Sequence, residues 1–257
     1  MAMPNELVLV RHGHSEGNLA VEKSREGNDG LYTSEFREKP AHRWKLTEEG
    51  QRQSKITGKW ILKNISNKFD RYYVSPFSRT CETAGLLGLP NAEWRIDQRL
   101  RERDWGDIGT LPHSEFRDIY PQNAIIKRVD RLYWRPPGGE SIADVRQRVR
   151  DFFDTLHREC DGMRVIVVTH GEFMWAIRAE LEYINDKDFI IADENPSLKI
   201  YNTHILQYSR KDPISGMYGD YLDWTRNVCP WMNNNEISWT KIKRKKYSNK
   251  DLINLSI

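Results

Sequence analysis

The sequence predicts an α/β protein with a mostly parallel central sheet, helices on both faces and an inserted lid. Three observations carry that reading. Apolar runs at Glu6–Arg11, Arg71–Ser75 and Arg164–Thr169 read as buried strands, because runs that lack polar alternation suit strands covered on both faces. Each run is followed within a few residues by the start of a helical pattern, and strands that alternate with helices lie parallel in one sheet. The length of 257 residues suits one such domain with a sizeable insertion, or two small domains.

The elements follow in order. Leu7, Val8, Leu9 and Val10 make the first strand continuously apolar. Residues 15–22 open a helix, and 23–45, polar and broken by Gly27 and Gly30, read as a long loop. Thr47 caps a helix that runs through Ile56 and Ile61 to about Asn64. Arg71–Ser75 is the second strand, Pro76–Leu87 opens a short helix, and 93–97 form an edge strand. Residues 103–139 hold four prolines among Trp105, Phe116, Tyr120, Tyr133 and Trp134, too long and aromatic for a simple connection, so they read as a lid. Ile142, Val145, Val149, Phe152 and Leu156 recur at helical spacing behind Ser141, which with Asp144 resembles a capping box. Arg164–Thr169 is the third buried strand, Glu172–Glu182 a helix and Lys199–Tyr208 a further strand. The domain expected is 1–210 with its lid at 103–139, followed by an extension at 211–257 that ends in a basic tail.

Composition narrows the function classes. Residues 241–251 carry six positive charges and one negative, so the net +3 of the chain belongs to the tail and the body is slightly acidic. The tail reads as a solvated end, and no aromatic ladder or nucleic-acid motif accompanies it. No apolar run approaches the roughly 20 residues needed to span a bilayer, and the N-terminus lacks the features of a signal peptide. Cys81, Cys160 and Cys229 are odd in number and widely spaced, which fits a reducing cytoplasm rather than a disulfide framework. Nine tryptophans exceed what the core needs, and some are expected on a concave surface.

The chemistry gathers at three strand ends: Arg11-His12-Gly13, Ser75-Pro76-Phe77-Ser78-Arg79 and Thr169-His170-Gly171. If the strands are parallel neighbours, two arginines and two histidines converge at one sheet edge beside helix N-termini. Guanidinium forks match phosphate oxygens, and a neutral imidazole is a competent nucleophile, so this is a site for a phosphoryl group. His12-x-His14 is also a spacing found in metal sites. A dication there would be repelled by Arg11 and the other converging cations, so no metal or cofactor is expected.

The collinear set resembles the histidine phosphatase superfamily, the phosphoglycerate mutase-like family. Arg11-His12-Gly13-His14-Ser15-Glu16-Gly17-Asn18 is similar to its signature, and Leu46-Thr47-Glu48-Glu49-Gly50 to a later helix start. Ser75–Thr80 with Thr83-Ala84, Leu100–Gly106, Gly139-Glu140-Ser141 and Thr169-His170-Gly171 complete the resemblance, which covers about residues 6–208. It implies Rossmann-like layers and a phosphohistidine intermediate. His12 would be the nucleophile, Arg11, Arg79 and His170 the holders of the phosphoryl oxygens, and Glu102 the proton donor and later base. Ser15, Asn18 and Gly171 would bind substrate.

The chain departs from the mutase branch at Gly17, where mutases commonly carry tryptophan, at His14, and in Asp104-Trp105-Gly106-Asp107 after Glu102. These departures favour a phosphatase acting on a small phosphorylated molecule, with a mutase or a non-catalytic binding protein as alternatives. Residues 23–45 and the lid should wall the pocket. Arg103, Lys127, Arg128, Arg131 and Arg135 would either meet a second anionic group or form a charged, solvated cap. Tyr133 and Trp134 would either stack on a ligand ring or form the lid's own core.

Overall fold

Glu6–Arg11 forms strand β1, and its buried residues point alternately to two faces, as the period of a strand requires. Leu7 and Leu9 join one apolar cluster, and Val8 and Val10 join another on the opposite side. The computed structural model describes residues 2–195, 198–232 and 238–254. In chain order after β1 come α1 (Glu16–Arg25), α2 (Ser34–Glu38), α3 (Glu48–Asn64), β2 (Arg71–Val74), α4 (Ser78–Leu86) and β3 (Trp94–Ile96). The lid carries α5 (His113–Ile119) and α6 (Pro121–Val129). Then follow α7 (Ile142–Glu159), β4 (Arg164–Thr169), α8 (Gly171–Glu182), α9 (Asp186–Glu194), β5 (Ile205–Ser209), β6 (Trp224–Val228), β7 (Thr240–Lys241) and α10 (Asn249–Ile253).

The seven strands lie in the order β3-β2-β4-β1-β5-β6-β7. The first four are parallel, with Leu7 opposite Val165 and Arg71 opposite the same residue on the other side. From β5 onward the pairing is antiparallel, so the sheet is mixed: a parallel half that holds the three motif-bearing strands as neighbours, and an antiparallel half. Strands β6 and β7 lie beyond residue 210 and extend this same sheet. Residues 233–237 and 255–257 of the expected extension lie outside the described residues.

The helix read from the Ile142–Leu156 stripe forms as expected. Ser141 accepts from the Asp144 N–H and Asp144 bonds back, and the stripe packs with Leu7, Leu9 and α8 residues such as Phe173. Each such side chain, fully buried, is worth about 1.5–3 kcal/mol, so the stripe fixes α7 on the sheet. On the other face, Ile61 of α3 and Ala84 of α4 cover Val8, Val10 and Val74.

Three segments differ from the sequence reading. Residues 23–45 are not one long loop: α1 continues to Arg25, and α2 and a 3-10 turn at Ala41–Arg43 follow. Thr33 caps α2 by accepting from the Phe36 N–H, a local signal that polar composition hid. Strand β5 begins at Ile205 rather than Lys199, because Thr203 takes a positive φ of 51° and turns the chain before it pairs. The basic tail is not a freely solvated end. Arg244 donates to the Leu181 and Leu222 carbonyls and pairs with Asp223, and Lys245 lies 3.6 Å from Asp188.

The lid has a small core of Ile108, Phe116 and Trp134. It is tied to the α1–α2 region from below: Arg37 holds Glu115 through two parallel bonds of 2.7 and 2.5 Å, Ser114 donates to Asp29, and the His113 N–H donates to Ser24. Among the described residues no helix is long and apolar enough to cross a membrane.

Candidate active site

Strands β2, β4 and β1 are adjacent and parallel, so their carboxyl ends share one edge, and α4, α8 and α1 start there. The cavity at this edge has a volume of about 510 Å³, within the range of small-molecule sites. Arg11, His12, Ser15, Asn18, Arg79 and Glu102 line it.

His12 is 2 % exposed. Its backbone N–H donates to the Thr169 carbonyl on β4 at 2.9 Å. Its ring Nδ1 lies 2.7 Å from the Gly13 carbonyl, which can only accept, so Nδ1 carries the proton. Nε2 is therefore left with its lone pair, and Arg79 Nε donates to it at 3.2 Å. Burial first, then the charges of Arg79 and Arg11, hold the imidazole well below its ordinary pKa. A neutral ring with one committed nitrogen and one lone pair aimed at an anion-binding pocket is a poised nucleophile.

His170 caps α8 from the end of β4, its ring centroid 5.1 Å from that of His12. Its Nε2 lies 2.8 Å from the Ser75 hydroxyl, and its Nδ1 has no hydrogen-bond partner among the described residues. If Ser75 donates, Nδ1 bears a proton and offers an N–H to an oxyanion. Burial, then Arg79, also hold His170 well below the ordinary value. Arg11 is anchored by a 2.7 Å bond to the Ile200 carbonyl, and its Nε has no hydrogen-bond partner among the described residues. Arg79 is anchored by 2.8 Å to the Ala41 carbonyl, and burial lowers its pKa to about 10, still protonated at neutral pH. One ligand atom each of Glu102, His12 and His170 lies within 4.8 Å of the others. The Glu102 carboxylate thus reaches the reacting centre; it accepts from the Arg103 backbone N–H at 3.0 Å, while the guanidinium of Arg101 pairs with Glu140 and that of Arg103 donates to the Glu140 and Trp134 carbonyls.

That spacing alone would suit a metal ion. The guanidiniums of Arg79, bonded to His12, and of Arg11 would repel a cation there. His14 turns away, with Nδ1 on Thr47 and Nε2 on Glu22, so the His12/His14 pair does not exist in space.

Ser15 and Asn18 form the capping box of α1. The Asn18 oxygen accepts from the Ser15 N–H, the Ser15 hydroxyl and Asn202 Nδ2, so only its NH₂ remains for a ligand. Gly171 lies against Arg11 rather than in the cavity lining: an added Cβ would stand 3.4 Å from Arg11 Nε. Gly13 admits the close approach of α3, for a Cβ there would lie 2.5 Å from the Gly50 carbonyl. Gly17, where mutases commonly carry tryptophan, faces a tryptophan from elsewhere: its Cβ would sit 2.3 Å from the Trp44 ring, which stacks on Phe36 and lines the cavity. Trp105 lines it as well, whereas Trp134 lies in the lid core and Tyr133 donates to Asp186.

Sequence reasoning missed Ser75, Asn202 and Trp44 as site residues. Ser75 had a signal in its place at a strand end. Asn202, which also donates to the His12 carbonyl at 3.2 Å, had none, because it sits in a turn that read as strand.

The buried histidines make stability depend on pH. Their folded pKa values lie below the ordinary value of about 6.5, and that of His204 falls to about 4 through burial. The unfolded chain then binds more protons, so stability is full above about pH 6.5 and is lost as the pH falls, by up to about 1.4 kcal/mol per unit for each group. Urea unfolding midpoints should drop between about pH 7 and pH 5. A flat profile would mean that these histidines titrate normally.

Comparison with known proteins agrees with this geometry. The sequence model of the histidine phosphatase superfamily (branch 1) matches residues 7–210. A 2,3-bisphosphoglycerate-dependent phosphoglycerate mutase of Parvibaculum lavamentivorans is 30 % identical over 203 residues, covering 73 % of this chain and 85 % of that protein. A phosphoglycerate mutase-like protein of Arabidopsis thaliana is 28 % identical over 221 residues, 72 % of this chain and 71 % of that one. The structure of mycobacterial glucosyl-3-phosphoglycerate phosphatase with VO3 superposes with a TM-score of 0.61 at 25 % identity, covering 80 % of this chain and 92 % of that one.

Proposed function

We propose a function on one premise: this chain belongs to the histidine phosphatase superfamily. It is a phosphomonoester hydrolase that acts on a small phosphorylated substrate through a phosphohistidine. The observation that carries the reading is the His12 ring, neutral, with Nδ1 committed to Gly13 and Nε2 beside two guanidiniums and within reach of Glu102.

In the first step His12 Nε2 attacks phosphorus in line. The ester P–O bond breaks, and its electron pair leaves on the alcohol oxygen, which takes a proton from Glu102. Arg11, Arg79 and His170 hold the non-bridging oxygens as charge develops. In the second step Glu102, now a carboxylate, takes a proton from water as it attacks the phosphohistidine. The N–P bond breaks and releases phosphate.

Hydrolysis is favoured over isomerisation by the segment after Glu102. Arg103 is committed to the Trp134 and Glu140 carbonyls, and Asp104 accepts from the Gly106 N–H, so these side chains brace the lid instead of gripping a second substrate end. The likeness to a mycobacterial phosphatase supports the same choice. The names of the mutase relatives favour the second reading, a phosphoglycerate mutase. Incubation with phosphoglycerate, with and without bisphosphoglycerate primer, separates the two. Phosphate release from phosphomonoesters with negligible isomerisation is the expected result, and primer-dependent isomerisation much faster than release would make the chain a mutase.

A further inference from the structure

The basic tail and the turn between β5 and β6 take no part in hydrolysis, and they lie together. Strand β5 runs antiparallel to β1, with Tyr208 opposite Leu7, so the turn after it sits at the amino end of β1, away from the cavity. Arg210 fixes the place: its backbone N–H donates to the Asn5 carbonyl and its guanidinium to that of Met3. The tail crosses the same edge. Thr240–Lys241 pairs with β6 at the base of the turn. Arg244 then donates to the Leu181 carbonyl at the end of α8, beside Glu182, which accepts from Tyr208. We propose that this edge is a docking surface for an anionic lipid membrane, resting on the headgroups without spanning the bilayer.

The turn is apolar where it is most open. Ile214 is 87 % exposed and Met217 71 %, and Tyr218 and Tyr221 are more than half exposed. Its backbone is braced from within. Lys211 bridges to Tyr218, the Asp212 N–H donates to the Met217 carbonyl, and the Asp212 carboxylate accepts from the Ile214 and Ser215 N–H groups. The polar groups of the turn thus satisfy one another and leave the apolar side chains to the outside. Grouped exposed apolar side chains mark a contact surface, and tyrosine suits a boundary that is apolar on one side and wet on the other.

The tail supplies the charge. Ile242, Arg244 and Tyr247 are partly buried against the body, whereas Lys241, Lys243, Lys245 and Lys246 are exposed. Ile242 packs on the core and Tyr247 meets Asn185, so the segment is held by one side and shows its lysines on the other. The row begins beside the turn: the Ile214 N–H first, with Lys241 among the lesser causes, holds the Asp212 carboxyl below its ordinary range. Acids at this edge are largely engaged, Asp223 by Arg244 and Asp188 by Lys245, while Asp220 stands exposed. Lys243 and Lys246 carry no ion pair among the described residues. Nucleic acid would meet the lysines but gain nothing from Ile214 and Met217. A headgroup layer takes both, for each lysine near an anionic surface strengthens binding about fivefold and apolar side chains enter the acyl boundary. The cavity, at the opposite edge, then stays open to water.

The test is sedimentation of the full chain with vesicles. Partition into vesicles of phosphatidylcholine with phosphatidylglycerol should exceed partition into phosphatidylcholine alone by about tenfold or more. Ile214→Asp with Met217→Asp, and separately Lys243→Glu with Lys246→Glu, should each lower the partition by about tenfold. All four side chains are exposed, so urea midpoints should stay at the wild-type value. Arg117→Glu with Arg128→Glu, on the exposed face of the lid, makes the same change in net charge and should leave the partition unchanged. Absence of binding, equal binding to both kinds of vesicle, or a loss in the lid variant that matches the lysine variant would overturn the docking surface. Wild-type binding by the Ile214/Met217 variant would overturn it too. Binding of single-stranded RNA in preference to vesicles, weakened by the lysine variant alone, would replace the membrane with a polyanion.

Discussion

Replacing His12 with alanine should lower kcat on every phosphomonoester the wild type hydrolyses by about 10⁴-fold or more. The loss is large because nucleophile and anion pocket act as one unit. Arg79 Nε loses the lone pair it now bonds, and His170, whose Nε2 lies 2.8 Å from the Ser75 hydroxyl, is not expected to replace the nucleophile. Rapid quenching of the wild type should trap phosphate that is labile in acid and stable in base, on His12. Turnover that survives the substitution with little loss would remove the covalent mechanism. Inhibition by chelators would instead point to a metal held by His12, Glu102 and His170.

Glu102→Gln should divide substrates by their leaving groups. Esters of poor leaving groups should slow by about 10²–10⁴-fold, because the departing alkoxide needs a proton in the transition state. Nitrophenyl phosphate, whose leaving group is stable without one, should lose much less in its first step. Burst kinetics would then show the phosphohistidine accumulating, since the same carboxylate must activate water in the second. Equal losses on both substrate types would make Glu102 a structural residue.

The central fold was legible because strong, local signals agreed. The apolar runs of β1, β2 and β4, the Thr47 cap and the α7 stripe each specify an element on their own, and each lies where its pattern predicts. Those strands end in charged and imidazole residues, so the phosphate-handling groups could be found before their geometry was known. What stayed hidden depends on contacts between distant segments. Nothing near Gly17 announces that Trp44 will fill its space, and nothing near Asn202 announces that it will brace Asn18 and the His12 carbonyl. The turn at Thr203 overrode an apolar pattern that otherwise reads as strand. The docked tail escaped because Arg244 is held by backbone carbonyls, and carbonyl acceptors leave no trace in sequence.

The forked bond between Arg37 and Glu115 has a kinetic consequence. It ties the lid, part of the cavity ceiling, to α2 across 78 residues of sequence, and both partners remain partly open to solvent. A latch of that kind is screened by salt, unlike the desolvated charges below it. Ionic strength should therefore change how often the ceiling parts, and with it the rates at which ligand enters and product escapes, while the bond-breaking step keeps its pace. The protein would then carry two separable clocks, one for traffic through the ceiling and one for chemistry at the floor.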